Sequence, residues 1–178
     1  MLNHQQLKAV NFPLQPLYLN AGAGTGKTKT LLERFNFLSK QVNIKSILIL
    51  TFSKNAVNNL KKRLNKKDAK IMTFHGFALM FLKQNLVYLK DFNFKDFRLI
   101  DEIETREIMK NLLNQFQIKI ICGLDDVIAS ISKIKRKIIT DIKPLFQKFF
   151  HAYNQVLFEK ELMDFDDLIV YTYYLLKN

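Results

Sequence analysis

The sequence predicts an α/β protein in which a parallel sheet flanked by helices is followed by an all-helical part. Three observations carry that prediction. Apolar runs of strand length alternate with helix-period segments as far as about residue 85, and only helical periods recur beyond it. The run 46–51 (Ser-Ile-Leu-Ile-Leu-Thr) is continuously apolar, as a central parallel strand covered on both faces must be. A glycine-rich turn over 21–28 stands between a short apolar run and a helix-period segment.

The elements follow in order. A short helix is expected over 3–11, with Leu2 and Val10 on its buried side and Pro13 ending it. Leu17, Tyr18 and Leu19 read as the first strand, and 27–40 as the first long helix, with Leu31, Leu32, Phe35 and Leu38 at helical spacing. The strand over 46–51 comes next. Ser53 then caps a helix running to about Asn65, whose apolar positions are Ala56, Val57, Leu60 and Leu64. A third strand covers 69–72, and 76–84 is helical. Further helices are expected over 101–117, 124–134, 142–158 and 165–176, with a break at Cys122 and Gly123 and with Pro144 suited to a first helical turn. The division drawn from this pattern is 1–88 for the α/β part and 89–178 for the helical part.

Ala21, Gly22, Ala23, Gly24, Thr25, Gly26, Lys27 and Thr28 form a phosphate-binding loop. Its glycines let the backbone curl so that successive N–H groups face an anion, and the positive end of the following helix adds to the field. Lys27 would reach the outer phosphates, and the Thr28 hydroxyl would ligate the Mg²⁺ bridging them. Ala21 stands where the usual pattern opens with Gly. Lys29, directly after the loop, is counted with the nucleotide contacts.

Composition narrows the class. At 178 residues, 48% hydrophobic and 25% charged, the chain is globular and long enough for a sizeable core. No apolar run reaches the length of a membrane span, and the first residues are too polar for a signal peptide, so a cytoplasmic protein that makes no membrane contact is expected. Cys122 is the single cysteine, which excludes an intrachain disulfide and the usual cysteine-paired zinc sites. The net charge of +12 is unevenly spread: residues 1–90 carry 15 Lys/Arg against Glu33 and Asp68, and residues 91–178 carry 13 against 14 acids. A basic half beside a neutral half suits a polyanion, although a solvated lysine-rich surface has the same composition.

The neighbours of the loop point to one family. The segment Leu2-Asn3-His4-Gln5-Gln6-Leu7-Lys8-Ala9-Val10 resembles the glutamine motif of superfamily 1 DNA helicases of the UvrD/Rep type. Ile49-Leu50-Thr51-Phe52-Ser53-Lys54-Asn55-Ala56 resembles their motif Ia, and Met72-Thr73-Phe74-His75-Gly76 their motif Ib. Met163-Asp164-Phe165-Asp166-Asp167-Leu168 is similar to the acidic-aromatic segment before motif II. These signals arrive in the family's order, from Leu2 to the C-terminus.

The resemblance implies a partial RecA-like motor domain of the P-loop NTPase class, ATP and Mg²⁺ as cofactors, and single-stranded DNA as partner, with 3′-to-5′ movement by the complete enzyme. It implies that Gln6 reads adenine, since an amide both donates and accepts. Arg34 would lie near the base, where a guanidinium stacks on a purine; a solvated helix arginine is the alternative. Phe52 would stack on a DNA base, or else fill the core. Lys54, Asn55, Thr73 and His75 would contact backbone phosphates, with a structural role as the alternative for His75.

Asp164, Asp166 and Asp167 invite a metal-binding reading, but Asp164 as a helix cap with Asp167 at the third helical position explains them better. Hydrolysis in the family needs an Asp-Glu pair at a later strand end. The single Asp-Glu pair here, Asp101-Glu102, reads as the start of the helix at Ile103. The chain by itself is therefore expected to lack turnover. Its incomplete sheet would leave an unpaired edge and an apolar face, so self-association is expected.

Overall fold

In the computed structural model, which describes residues 1–92, 94–117, 123–137 and 143–177, helix α1 (His4–Asn11) is closed at its first turn by a reciprocal cap. Asn3 Oδ1 accepts from the Gln6 N–H, and Gln6 Oε1 accepts from the Asn3 N–H, each at 2.9 Å. Both bonds satisfy donors that an α-helix leaves unpaired at its start. The chain divides into two compact units, Met1–Phe74 and His75–Asn178.

The first unit continues with α2 (Lys27–Leu38), β1 (Leu48–Thr51), α3 (Lys54–Leu64) and β2 (Lys70–Thr73). β1 and β2 pair in parallel, from Leu48 opposite Lys70 to Thr51 opposite Thr73, with α3 as the crossover. The helical faces expected from spacing meet the sheet in one core, except that Leu31 is exposed. Leu32 and Phe35 of α2 and Val57, Leu60 and Leu64 of α3 pack on Ile49 and Ile71. Ser53 Oγ accepts from the Ala56 N–H at 3.1 Å, capping α3, and Asn65 ends that helix in the left-handed region at φ 48°.

Leu17, Tyr18 and Leu19 depart from the expectation of a first strand. They belong to no strand or helix, and all three are exposed, Tyr18 at 88%. A strand is defined by its ladder, and among the described residues no segment supplies one beside 17–19. The apolar run made the segment sticky without giving it a partner.

The second unit holds α4 (Phe74–Gln84), which starts at the junction, then α5 (Leu86–Leu89), β3 (Arg98–Leu99), α6 (Glu102–Gln115), α7 (Leu124–Lys135), α8 (Pro144–Glu159), β4 (Leu162–Met163) and α9 (Phe165–Lys177). It is not all-helical. β3 and β4 pair in parallel, Arg98 opposite Leu162 and Leu99 opposite Met163, and the Ile100 N–H donates to Met163 O at 2.9 Å. Strands of two residues are too short to show a period of two, which is why the sequence hid them.

Two apolar clusters organise this unit. Ile100, Met109, Leu112, Val127, Ile131, Phe149, Tyr153 and Leu157 join α6, α7 and α8. Ala78 and Leu82 of α4 pack with Leu89, Phe94, Phe97, Met163 and Leu168. Pro144 takes the first turn of α8 as expected. The expected break at Cys122 and helix start at Ile142 lie outside the described residues. Among the described residues no helix is long and apolar enough to cross a membrane.

Candidate functional site

The loop between Leu19 and α2 is shaped by two glycines in the left-handed region, Gly24 at φ 76° and Gly26 at φ 83°. L side chains rarely adopt that conformation, so these two positions require glycine. Gly26 has a second reason. A Cβ there would sit 2.9 Å from Gln6 Nε2, so the loop and α1 touch only because the side chain is missing. Thr25 Oγ1 donates to Gly22 O at 2.8 Å and tightens the turn.

Gln6 reaches the loop directly, its Nε2 donating to Thr25 O at 2.9 Å. Lys27 Nζ donates to Ala21 O at 3.0 Å and to Gly22 O at 2.5 Å, so the ammonium caps the loop mouth on its own carbonyls. A cavity of about 260 Å³ opens there, lined by Gln6, Ala21, Gly22, Thr25 and Lys27 among others. Ala23 and Lys29 are exposed and do not line it, and Lys29 Nζ donates to Met1 O at 3.3 Å. A positive charge, a curled backbone and the start of a twelve-residue helix form a cradle for an anion.

Thr28 faces a second cavity of about 450 Å³, which it lines with Thr51, Asn55, Asn59 and Arg63. Leu31, Leu50, Ala56 and Leu60 also line that cavity; the Thr28 hydroxyl lies in the first turn of α2, next in sequence to Lys27, and is the group that would ligate a divalent ion held by a phosphate chain. Such a metal would supply charge neutralisation between phosphate oxygens.

Arg34 is bonded to backbone carbonyls at the end of α1 and just after it rather than left solvated. Nη1 donates to Val10 O at 2.8 Å and to Phe12 O, Nη2 donates to Pro13 O at 3.0 Å, and the guanidinium lies 5.7 Å from the centre of the Phe37 ring. It holds the end of α1.

At the C-terminal end of the parallel pair, Phe52 follows β1 and Phe74 follows β2. Because Thr51 is opposite Thr73, the two rings fall side by side, 5.1 Å apart between centroids. Phe52 is 91% exposed, which removes the core alternative, and Phe74 is 40% exposed. Phe74 was not singled out from sequence; the equal offset of the two rings from their paired strands was the available signal. Lys54 and Asn55 stand exposed in the first turn of α3. Thr73 ends β2. His75 belongs to the second unit, where its ring meets Phe165 edge-on at 5.7 Å.

The acidic segment of the second unit is a closed network. Lys135 Nζ donates to Asp164 Oδ2 and Asp167 Oδ1, each at 2.7 Å, and the Tyr153 hydroxyl donates to Asp164 Oδ2 at 2.9 Å. Asp164 Oδ1 accepts from the Asp167 N–H at 3.0 Å, and Asp167 Oδ2 accepts from the Asp164 N–H at 3.1 Å, so the pair caps α9 as expected. Burial presses the Asp164 carboxyl upward, but the Lys135 ammonium overrides it and holds it below the usual carboxylate range. Burial wins at Asp167, helped by the Asp164 charge and opposed by Lys135, and pushes that carboxyl up to about 6. Lys135 was the residue missed from sequence. It falls on the apolar stripe of α7 with Val127 and Ile131, and a lysine at that spacing signals a buried partner. Among the described residues no group of His, Cys, Asp and Glu is placed to hold a metal ion.

A family model described as UvrD/REP helicase N-terminal domain matches residues 2–178. Similar proteins include a probable DNA helicase of Mycoplasma pneumoniae, 32% identical over 99% of this chain and 37% of its own length. ATP-dependent DNA helicase Rep of Buchnera aphidicola subsp. Schizaphis graminum is 30% identical over 99% of this chain and 30% of its own length. ATP-dependent DNA helicase PcrA of Staphylococcus epidermidis is 27% identical over 96% of this chain and 26% of its own length. The chain thus spans between 26% and 37% of the length of these curated relatives.

Proposed function

The chain belongs to the UvrD/REP helicase N-terminal domain family, and from that premise we propose that it is the ATP-binding portion of a DNA helicase. The complete enzyme would couple Mg-ATP hydrolysis to 3′-to-5′ movement along single-stranded DNA. The observation that carries the reading is the loop over 21–28, with its two left-handed glycines, its Lys27 ammonium and the Gln6 amide bonded to Thr25 O.

In this reading the loop amides and Lys27 take the phosphates, Thr28 holds Mg²⁺, and Gln6 reads the base. Lys29 adds charge beside the phosphates. Phe52 and Phe74 offer an exposed aromatic platform, and Lys54, Asn55, Thr73 and His75 take the DNA backbone. Stacking on such rings tolerates any base, which suits an enzyme that must move along every sequence.

A second reading, a module that binds nucleotide or DNA without turnover, is favoured by one observation. Asp101 Oδ1 accepts from the Glu104 N–H at 2.9 Å, and Glu102 Oε1 accepts from Arg106 at 3.0 Å, so both carboxylates of the single Asp-Glu pair are engaged in opening α6. We therefore take this chain by itself to bind ATP and DNA without hydrolysis. Among the described residues no third strand pairs with β1 or β2, and with the exposed Leu17, Tyr18 and Leu19 this supports self-association; a clean monomer in sedimentation at high concentration would refute it.

Binding of fluorescent oligo-dT across a salt series, with and without Mg-ATP, tests the main reading. Binding should weaken steeply with salt, and Phe52→Ala should weaken it further, by roughly 1–3 kcal/mol. No binding by the folded chain at low salt would sink the DNA half of the proposal. ATP turnover by this chain that is lost in Lys27→Ala would overturn the claim that it lacks hydrolysis.

A further inference from the structure

Helix α1 is fastened at both ends, and the two fastenings serve one purpose. At its start, Gln6 Oε1 accepts from the Asn3 N–H while Nε2 donates to Thr25 O, each at 2.9 Å. Rotating the amide by half a turn would set N–H against N–H and C=O against C=O. The backbone therefore fixes which way the amide points. An amide group has two N–H donors and two acceptor lone pairs, and one of each is in use. What remains is one donor beside one acceptor. Adenine presents the complement, an N6–H₂ donor next to the N7 acceptor, whereas guanine presents two acceptors, O6 and N7.

The orientation of that pair depends on where α1 sits. α1 has eight residues, too few to be stable as an isolated helix, and its buried side chains are Ala9 and Val10. Its far end, about 12 Å away at 1.5 Å per residue, is held by Arg34. The guanidinium gathers the carbonyls of Val10, Phe12 and Pro13, oxygens for which the helix itself has no donor. A planar fork of five N–H donors spans three carbonyls, and a single ammonium does not.

We infer that Arg34 is a positioning residue for base selection: by holding the Val10, Phe12 and Pro13 carbonyls it fixes α1 so that Gln6 presents its free donor–acceptor pair beside the phosphate loop. Arg34 itself does not touch the nucleotide. This rests on the nucleotide-binding reading above and assigns within it which side chain makes the choice of base possible.

Calorimetric titration of the full 178-residue chain with Mg-ATP, Mg-GTP and inorganic tripolyphosphate tests it. The wild-type chain should favour ATP over GTP. Arg34→Ala and Arg34→Lys should weaken ATP by about tenfold, bring the ATP:GTP ratio toward one, and leave tripolyphosphate within about twofold. In a Gln6→Ala background, Arg34→Lys should leave the ATP:GTP ratio unchanged, because the residue acts through Gln6. Arg34→Lys guards against a failure of Arg34→Ala to fold, and far-UV circular dichroism checks both. A loss of ATP and tripolyphosphate in equal measure overturns the inference, as does a further loss of ATP selectivity in the Gln6→Ala background, which would mark direct contact with the base. A folded wild-type chain that binds neither ATP nor tripolyphosphate overturns the nucleotide reading itself, and this inference with it.

Discussion

The phosphate loop and the Lys135 network both place a lysine among oxygens, but they do so in opposite ways. Lys27 is exposed and rests on two backbone carbonyls of its own loop, Ala21 and Gly22. Lys135, with 4% of its side chain exposed, sits between two carboxylates contributed by another helix end. In the first case water or a phosphate can replace the partners at little cost. In the second, every group is desolvated and each holds the others in place. In the proposed reading, a loop that receives phosphate keeps its cation at the surface with exchangeable partners, and a joint that must hold keeps it inside with fixed ones.

That contrast is open to measurement. Lys135→Met leaves Asp164 and Asp167 buried without their cation and should cost about 3–5 kcal/mol in urea unfolding. A cost near zero would show that the network is solvated and would erase the contrast.

Asp167 provides the next largest effect. Its carboxyl is raised to about 6 in the folded chain from an ordinary value of 3.8. The folded state therefore holds that proton through a range where the unfolded state releases it, and stability falls as pH rises from about 4 to 6. The loss should be on the order of 2–3 kcal/mol relative to Asp167→Asn, which removes the titrating group. Asp164, held low, acts in the opposite sense and withdraws its contribution only below about pH 4. Parallel stability profiles for wild type and Asp167→Asn across this range would count against the assignment.

Smaller effects belong to the loop. Gly26→Ala meets both a left-handed φ of 83° and the Gln6 amide at 2.9 Å, and should cost about 1–2 kcal/mol while displacing Gln6. Nucleotide titration should then show weaker ATP binding; unchanged affinity would mean that the loop and α1 move independently. Lys27→Met should change unfolding by less than about 0.5 kcal/mol yet remove nucleotide binding. A large loss of stability there would make Lys27 a structural residue like Lys135.

Much of this was readable from the chain, for identifiable reasons. Ser53, Asp101 and Asp164 cap helices because a short polar side chain before an apolar period has few other uses. Of the run over 46–51, Leu48 to Thr51 became β1 because its neighbour β2 lies one crossover away, whereas Ser46 ends a 3-10 turn and Ile47 precedes the ladder. The run Leu17-Tyr18-Leu19 is also apolar but has no ladder among the described residues, and apolar character carries no information about partners. Phe52 was legible through its motif, whereas Phe74 became visible only when the strand register set the rings together. Arg34 illustrates a harder limit. A guanidinium suits a purine face and a cluster of carbonyls equally well, so residue type alone did not choose between them.

The register of the two strand pairs also sets an order of events as the chain folds. Leu48 meets Lys70, 22 residues on, whereas Arg98 meets Leu162, 64 residues on. By length alone, closing the longer segment costs roughly 1 kcal/mol more in chain entropy. On a ribosome, β1, α3 and β2 can assemble as soon as about residue 73 has emerged, long before β4 is made. The phosphate loop precedes all of them in sequence, so its supporting sheet pair is in place while the second unit is still being synthesised.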